Sequence, residues 1–499
     1  MSGSALLPLA IVLSSMVPGL VIFALPEERH RLRTLLNLAG AILKLSLVGI
    51  LFLGVYAGQD YLFRMPLLPG MDLVLHADAL SLLFIVLSAF LWFVTTVYAV
   101  GYLEGSPHRS RFFGFFSLCV SATTGLALAG DLISFVIFYE MLTISTYPLV
   151  VHRGTPEALR AGRIYLTYTL CGGALFVVAT AWLRALAGPL DFVATGILSG
   201  LDPSLEPTFK VIFVMLILAL GVKAALVPLH AWLPTAMVAP APVSALLHAV
   251  AVVKAGAFGI MRVVYDVYGI EFAAALGLLK PLAVAAAVTI IYGSLRALFQ
   301  DDLKRRLAFS TVSQVSYITL GIAVAGPLAT IGGLVHLVHQ GMMKITLFFC
   351  AGNLAETLGI HKISEMSGVG RRMPWTLAAF TLGALGMIGV PPLVGFISKW
   401  YLALGALEAH QPWVLLVLVA STLLNAAYFL PILYTAWFGA PPPVWPEEHL
   451  GDARRETTWA LLLPPLVTAA LVVLLGLFAA APFSPLQWVK LIAALEYGS

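Results

Sequence analysis

The sequence predicts an all-α protein that crosses a membrane about fourteen times. Its 499 residues are 60% hydrophobic and only 10% charged, with a mean hydropathy of +0.97, whereas soluble domains carry roughly 25% charged residues. The apolar residues form runs of about 20, the length of helix that crosses a hydrocarbon core about 30 Å thick. Two of these runs are interrupted by prolines at matching positions, which is the pattern of an inverted repeat.

Fourteen apolar segments account for most of the chain. They lie near residues 5–25, 34–57, 78–100, 111–129, 132–151, 164–187, 209–229, 238–264, 274–298, 306–325, 328–352, 374–405, 411–437 and 458–481. The first segment has no basic stretch before it and no clear small-residue cleavage site. We therefore interpret it as a retained helix, with the mature chain starting at or near Met1.

Basic residues are distributed unequally between the two sides of the membrane. Seventeen of the 28 Lys and Arg residues lie in or beside connections that follow odd-numbered segments, and five lie on the other side. Because cytoplasmic loops are enriched in Lys and Arg, we expect these connections to face the cytoplasm and both termini to face outward. The location would be the cytoplasmic (inner) membrane.

Segments 7 and 12 contain the interruptions GVKAALVPLHAWLP and GMIGVPPLVGFISKW. Proline removes a backbone donor and clashes with the preceding turn, so both helices should break at membrane depth. Each is fourth in a block of five segments, 4–8 and 9–13, and an odd block length inverts the second block relative to the first. The predicted divisions are 1–110 (segments 1–3), 111–265 and 274–437 (the two repeats), and 438–499 (a cytoplasmic loop, Pro441 to Glu456, and segment 14).

Glu140, the one acid well inside a segment, and the six basic residues that belong to neither side lie within these segments or at their ends. They are Glu140, Lys44, Lys223, Lys254, Lys280, Lys344 and Lys399. Charge at bilayer depth is costly and usually faces a protein interior or a wet cavity, so each is a functional candidate. Lys280 lies near a segment end, where its long side chain can reach the interface. Lys44 has no obvious acidic partner, and both a packing role and a pathway role remain open.

Glu140 and Lys223 are expected to form a charge pair between neighbouring helices. Breaking such a pair changes the proton affinity of the lysine, so the pair can act as a switch. The alternative is a static salt bridge that only fixes packing.

Two further segments carry histidine together with lysine. His248 and Lys254 lie in segment 8, and His336, His339 and Lys344 lie in segment 11. Histidine titrates near neutrality and suits a proton relay, although a buried histidine is often only a hydrogen-bonding group. From Glu140 through these residues to Lys399, the chain offers a row of titratable groups along the membrane plane.

No cofactor or metal is expected. Cys119, Cys171 and Cys350 lie in separate apolar segments without C-x-x-C spacing, which gives no haem or iron–sulfur signature. The two histidines of segment 11 lack the carboxylate or thiolate company of a zinc site. With no phosphate-binding loop either, neither a nucleotide nor a nucleic acid is an expected partner.

Five stretches resemble the proton-translocating antiporter family of respiratory complex I, membrane-bound hydrogenases and Mrp-type cation/proton antiporters. They are GDLISFVIFYEM, GVKAALVPLHAWLPTAMVAPAPVSALLHAVAVVKAGAFGIMR, QDDLKRRLAFSTVSQVSYI, HLVHQGMMKITLFFCAGN and GVPPLVGFISKW, within residues 76–437. The resemblance implies fourteen helices and a hydrophilic axis. It also implies that Glu140 is the essential glutamate, Lys223 its lysine partner, Lys254 the central lysine and Lys399 the terminal residue. His336 and His339 match the polar stretch of helix 11.

Lys399 and the chain length refine this resemblance. The chain ends 18 residues after segment 14, so we expect neither the long lateral helix of the distal complex I subunit nor the extra C-terminal domain of the Mrp A subunit. A lysine at this position resembles the Mrp D subunit and the complex I subunit nearest the quinone module. Two departures lie at Thr235, where relatives often have Asp, and at Arg163, where relatives have Lys-Tyr.

The leading hypothesis is therefore a transporter subunit, not an enzyme by itself, of a multi-subunit sodium/proton antiporter. Its partners would be other membrane subunits, protons, sodium and the lipid bilayer. A proton pump module of a redox complex and a proton-coupled module for inorganic carbon uptake remain alternatives.

Overall fold

The computed structural model describes residues 3–198, 200, 202–447 and 456–497, and these are mostly helical. The helices are α1 (Gly3–Phe23), α2 (His30–Tyr56), α3 (Ala79–Tyr102), α4 (Arg109–Ala127), α5 (Leu132–Val150), α6 (Pro156–Ala187), α7 (Glu206–Lys223), α8 (Trp232–Thr235), α9 (Ala241–Ala249), α10 (Val252–Arg262), α11 (Ile270–Ala275), α12 (Leu279–Leu298), α13 (Leu303–Val324), α14 (Pro327–Leu358), α15 (Val369–Arg372), α16 (Pro374–Ile388), α17 (Val394–Glu408), α18 (Trp413–Phe438), α19 (Trp459–Leu477) and α20 (Pro485–Tyr497). Within the predicted loop from Pro441 to Glu456, residues 448–455 lie outside the described residues.

Each of the fourteen predicted segments contains helix, which confirms the predicted fold class. In the described part of the chain, twelve helices are long and apolar enough to cross a membrane. The other two segments are α4, which is rich in Ser and Thr, and the broken pair α16 and α17. The division into four regions by residue number stays a prediction.

A β-hairpin and a C-terminal helix are the longest elements that lie outside the predicted segments. A two-stranded antiparallel hairpin, β1 (Leu62–Leu68) and β2 (Met71–His76), connects α2 to α3, and Gly70 at its turn has a φ of +75°. Glycine adopts such a positive φ without steric cost. The second addition is α20, a short amphipathic helix after the last membrane segment. Both are too short and too polar to form a run of about 20 apolar residues.

The helices that carry most of the candidate residues lie at the centre of the molecule. The stretch of α9 and α10, and the stretches of α13 and α14, are wholly buried, whereas only 33–39% of the residues are buried in the apolar stretches of α1, α2, α6, α18 and α19. The outer helices therefore present apolar surface to lipid or to other membrane subunits. Polar groups on the central helices are kept away from the hydrocarbon.

Both predicted helix breaks are present. Helix α7 ends at Lys223 and the chain continues through turns and the short α8, while α16 ends at Ile388 and α17 begins at Val394. A third break, between α9 and α10 at Val250 and Ala251, corrects the expectation of one continuous segment 8. No proline or glycine marks this break, so the sequence pattern gives no signal for it.

Candidate functional site

Lys223 is the last residue of α7 and is completely buried. Its ammonium donates a hydrogen bond to the backbone carbonyl of Tyr139 in α5 and lies 3.4 Å from the centre of the Tyr139 ring. The Tyr139 hydroxyl in turn donates to the carbonyl of Ala219 in α7 at 3.0 Å. Tyr139 therefore connects α5 and α7 in both directions and holds the lysine at the helix break.

Glu140 follows Tyr139 and is half-buried against α6. Its carboxylate occupies the space left by the missing side chain of Gly173, because a Cβ at that position would overlap both carboxylate oxygens. The Oε1 atom is buried and makes no hydrogen bond. Among the described residues, Glu140 forms no direct ion pair with Lys223, although the two charges are close enough to interact electrostatically. The direct contact of Lys223 is with Tyr139, and its interaction with Glu140 is electrostatic, without a salt bridge.

Lys254 lies two residues into α10, after the unpredicted break, and is completely buried. Its ammonium donates a hydrogen bond to the carbonyl of Leu337 in α14 at 2.8 Å. Gly256 follows within the same turn of helix, and a Cβ at Gly256 would overlap the backbone of Lys223 and Ala224. This close backbone approach places the end of α7 against the helix that carries Lys254.

His248 lies near the end of α9, on the other side of the same break. Its ring packs against Phe348 with 4.6 Å between ring centres, and neither ring nitrogen has a hydrogen-bond partner. Within the described residues, His248 is therefore not a satisfied hydrogen-bonding group.

Helix α14 carries three of the candidate residues. His336 shares a hydrogen bond of 2.8 Å between its Nδ1 and the hydroxyl of Ser398 in α17, while its Nε2 has no partner. His339 is buried, and its Nδ1 is likewise without a partner. Lys344 donates to the Ser310 hydroxyl at 2.6 Å and to the Leu307 carbonyl at 3.1 Å, both in α13.

Lys399 lies in α17 beside the second broken helix. Its ammonium donates to the carbonyls of Met387 and Ile388 at 3.2 and 2.6 Å, and to the Thr422 hydroxyl at 3.0 Å. These carbonyls are the last of α16, where the helix dipole is negative and favours a cation. Lys399 is half-buried and borders a groove of about 290 Å³ between α16, α17 and α18.

Neutral polar residues that the sequence did not single out complete the centre. The side-chain amides of Gln314 in α13 and Gln340 in α14 are buried without hydrogen-bond partners, as is the hydroxyl of Tyr317. The Tyr317 ring stacks on His336, with 5.1 Å between centres, and faces the Lys399 ammonium at 5.7 Å. Since buried polar groups in proteins are normally bonded to protein or to ordered water, this cluster is typical of a hydrated interior.

The lysines of this row have oxygen acceptors as their hydrogen-bond partners. Each buried lysine is bound by carbonyl or hydroxyl oxygens, which accept a hydrogen bond from either protonation state. In the residues that the structure describes, no group of three or more His, Cys, Asp and Glu side chains is arranged to hold a metal ion. The fold and this row define a multi-pass membrane protein with titratable groups along its central helices.

Comparison with known proteins gives the family. Residues 129–425 match the model described as the NADH:quinone oxidoreductase/Mrp antiporter transmembrane family, and residues 70–113 match the N-terminus of chain 5 of complex I. The chain belongs to the NADH:quinone oxidoreductase/Mrp antiporter family.

Several relatives cover most of both chains. The chain is 38% identical over 421 residues to NADH-quinone oxidoreductase subunit N of Desulforudis audaxviator (82% of each chain). It is 27% identical over 484 residues to the D subunit of the Na(+)/H(+) antiporter of Alkalihalophilus pseudofirmus (95% and 94%). Its fold matches a chain of the Mrp complex from Dietzia sp. with a TM-score of 0.87 at 23% identity, covering 100% and 98% of the two chains. A chain of respiratory complex I from Thermus thermophilus gives a TM-score of 0.80 at 27% identity, covering 97% and 99%.

Proposed function

We propose that the chain is the proton-translocating subunit of a multi-subunit antiporter that exchanges a monovalent cation, sodium, for protons. Its relatives include the D subunits of Na(+)/H(+) antiporters from two bacteria, and its structural neighbours are membrane subunits of large assemblies. Other membrane subunits are its partners in this proposal, and the cytoplasmic membrane is its location.

One observation carries the proposal: Lys223 lies at the end of a broken helix, bound to Tyr139 and adjacent to Glu140. The proton affinity of a buried lysine is set by the few groups that surround it. Lys223 therefore gains or loses a proton when those groups change. Movement of the end of α7 would change those neighbours. The proposed site residues are Glu140, Lys223, Lys254 and Lys399.

Contacts between the helices connect Lys254 with Lys399 in the proposed path. Lys254 contacts α14 through Leu337, and α14 carries His336, which contacts α17 through Ser398. Lys399 lies one residue after Ser398 and ends the row. His248, His339 and Lys344 lie on the same central helices and belong to the proposed path with less direct contacts.

A second function, a proton pump module of a redox complex, is favoured by one observation. The relative of 38% identity is a subunit of an NADH-quinone oxidoreductase, and the lysine at position 399 also resembles the complex I subunit nearest the quinone module. In this case electron transfer in another polypeptide would drive the same row of residues.

The two functions are separated by measuring proton flux in antiporter-deficient membrane vesicles that contain the whole complex. A sodium gradient should drive proton flux in the antiporter, and only an electron donor and acceptor should drive it in the redox complex. We expect Glu140→Gln and Lys223→Ala each to reduce flux at least about tenfold, as loss of a proton-transfer group does.

Two exposed residues provide matched controls. Glu157→Gln at the start of α6 and Lys280→Ala in α12 remove the same charges from exposed positions and should leave the flux unchanged. Wild-type flux in both Glu140→Gln and Lys223→Ala would show that the proposed pair is not used.

A further inference from the structure

Lys44 is a completely buried lysine outside both five-segment blocks. It lies near the middle of α2, and therefore close to the centre of the bilayer for a helix of 27 residues. None of the site residues described above contacts it. Its role in the molecule needs a separate explanation.

The ammonium of Lys44 is bound by hydroxyl groups alone. It donates to Ser15 of α1 and Thr124 of α4, both at 2.7 Å, and lies 5.0 Å from the centre of the Trp92 ring of α3. Among the described residues no carboxylate forms a salt bridge with it. Both hydroxyls donate to carbonyls of their own helices, Val12 and Val120, and accept from Lys44. Because a neutral amine still has two N–H donors, this site accommodates both protonation states of Lys44.

Polar groups connect Lys44 with the end of α2 that carries Arg33. On α4, Ser110, Ser117, Ser121 and Thr124 are seven, four and three residues apart and therefore share one face. The Ser117 hydroxyl donates to Asn37 at 3.3 Å, and the Ser110 hydroxyl accepts from Arg33 at 2.8 Å. We call these four residues with Asn37 the hydroxyl path.

The hydroxyl path is buried along its whole length between α1, α2 and α4. Its successive hydroxyls on α4 are one or two turns apart, and one turn is about 5.4 Å. A water molecule bridges polar groups one turn apart when it finds polar partners. The two turns between Ser110 and Ser117 are covered by Arg33, which binds Ser110, and by Asn37, which donates to the Arg33 carbonyl at 3.1 Å. Beyond Ser110 the path continues to the buried Arg33 and reaches the surface at Glu27, whose side chain is 44% exposed and lies 3.8 Å from that of Arg33.

Two buried polar groups without partners lie on α3, the helix whose Trp92 ring faces Lys44. The indole Nε1 of Trp92 and the hydroxyl of Ser88, one turn apart on α3, have no hydrogen-bond partner, and their residues are 1% and 0% exposed. Trp92 is the residue whose ring faces Lys44. Buried donors of this kind are normally satisfied.

We propose that Lys44 exchanges protons with the medium through the hydroxyl path and forms a second proton route, separate from the row between Glu140 and Lys399. The step is a reversible proton transfer: a hydronium ion in the path gives its proton to the Nζ lone pair and becomes water, and a water later takes the proton back and becomes hydronium. The inference rests on the proposed function, since the proton would serve the same transport.

The test compares Lys44→Met and Lys44→Arg in vesicles that contain the whole complex, with Glu140→Gln in parallel. Arginine keeps the positive charge but does not release its proton. Both Lys44 variants should therefore reduce proton flux at least about tenfold. Ser46→Ala, which removes a lipid-facing hydroxyl two residues away on α2, should not reduce it.

Several results would overturn the proposal. Wild-type flux in Lys44→Met would make the residue irrelevant, and wild-type flux in Lys44→Arg would show that a fixed charge suffices. If Glu140→Gln abolishes flux while Lys44→Met does not, the second route fails and the proposed function stands.

A readout that does not depend on transport keeps the proposal testable if the proposed function is wrong. In nitrogen-15 spectra of the complex, the lysine Nζ signal that is absent from Lys44→Met should change with the pH of the medium. In the double variant Ser117→Ala/Ser121→Ala this response should slow at least about tenfold. A signal that does not respond to pH, or a double variant that responds like wild type, would overturn the route.

Discussion

Gly173 decides where the carboxylate of Glu140 lies. The residue is in the middle of α6, where alanine would be the better helix former by about 1 kcal/mol. Its missing side chain leaves the space that both carboxylate oxygens occupy. A conformational cost in α6 thus gives a half-buried acid of α5 its position.

Gly173→Ala should therefore impair transport without removing any titratable group. The new methyl group would force the Glu140 side chain away from α6, and we expect proton flux to fall about tenfold, as for other displaced proton-transfer groups. The measurement is flux in vesicles with the whole complex. Gly49→Ala in α2 is the matched control, because a Cβ there would have nothing within 4 Å. Equal flux in both variants would show that the Glu140 carboxylate does not depend on this position.

The sequence identified the charged candidates but not their partners. Glu140, Lys223 and Lys254 were conspicuous because a charge inside an apolar segment is rare. Tyr139, which binds Lys223, is an ordinary aromatic residue in such a segment, and its contact depends on how α5 meets α7. Gln314 and Gln340 were missed because neutral amides do not contrast with their surroundings. Whether the candidates carry protons stays a prediction.

The end of α10 is fixed by a buried charge cluster that the sequence did not predict. Arg262 is 1% exposed and donates to Asp78 at 2.6 and 3.0 Å and to Asp266 at 2.8 Å. Asp78 caps the start of α3, while Asp266 lies on the irregular turn that continues α10. The cluster therefore fastens the helix that carries Lys254 to the start of α3.

Arg262→Met should destabilise the protein strongly, because it leaves the buried carboxylate of Asp266 and the partly buried carboxylate of Asp78 without their cation. Breaking a buried ion pair from one side costs about 3–5 kcal/mol. Thermal unfolding in detergent measures the effect as a lowered midpoint. Arg64→Met on the β-hairpin removes ion pairs with Asp72 and Asp191 that are exposed, where the loss should be at most about 1 kcal/mol. Similar midpoints for the two variants would contradict a structural role for the buried cluster.

Helix breaks were predictable only where the sequence contains proline. The breaks after Lys223 and Ile388 followed from the chemistry of the proline backbone. The break between α9 and α10 depends on packing: a Cβ at Gly341 of α14 would lie only 3.1 Å from the carbonyl of Ala249. Such a contact between distant segments leaves no local pattern in either of them.

In the molecule as a whole, the central helices differ from the outer helices in their burial and in their polar side chains. Apolar length was sufficient to predict all fourteen segments, because it depends on bilayer thickness alone. Burial of α13 and α14 was not predictable in the same way, since all the segments are apolar. What distinguishes the central helices is the number of polar side chains that they keep away from lipid, such as Ser310, Gln314 and Gln340.

The distribution of Lys and Arg predicts which face of the molecule is cytoplasmic. In a variant without Cys119, Cys171 and Cys350, a cysteine at Arg31 should react with a membrane-impermeant thiol reagent only from the cytoplasmic side. A cysteine at Ser204 should react only from the outer side. Both positions are exposed, and labelling of intact cells against inverted vesicles distinguishes the sides. The reverse labelling pattern would invert the proposed orientation.

The double contact between α5 and α7 implies a threshold for freeing Lys223. The lysine binds the Tyr139 carbonyl, and the Tyr139 hydroxyl binds the Ala219 carbonyl one turn earlier in α7. Both hydrogen bonds join the same two helices, so a displacement of α7 large enough to break one also strains the other. Each contributes about 1 kcal/mol, and they are lost together. Release of Lys223 should then be cooperative: the two hydrogen bonds are expected to break together, at a combined cost of about 2 kcal/mol, when α7 moves relative to α5.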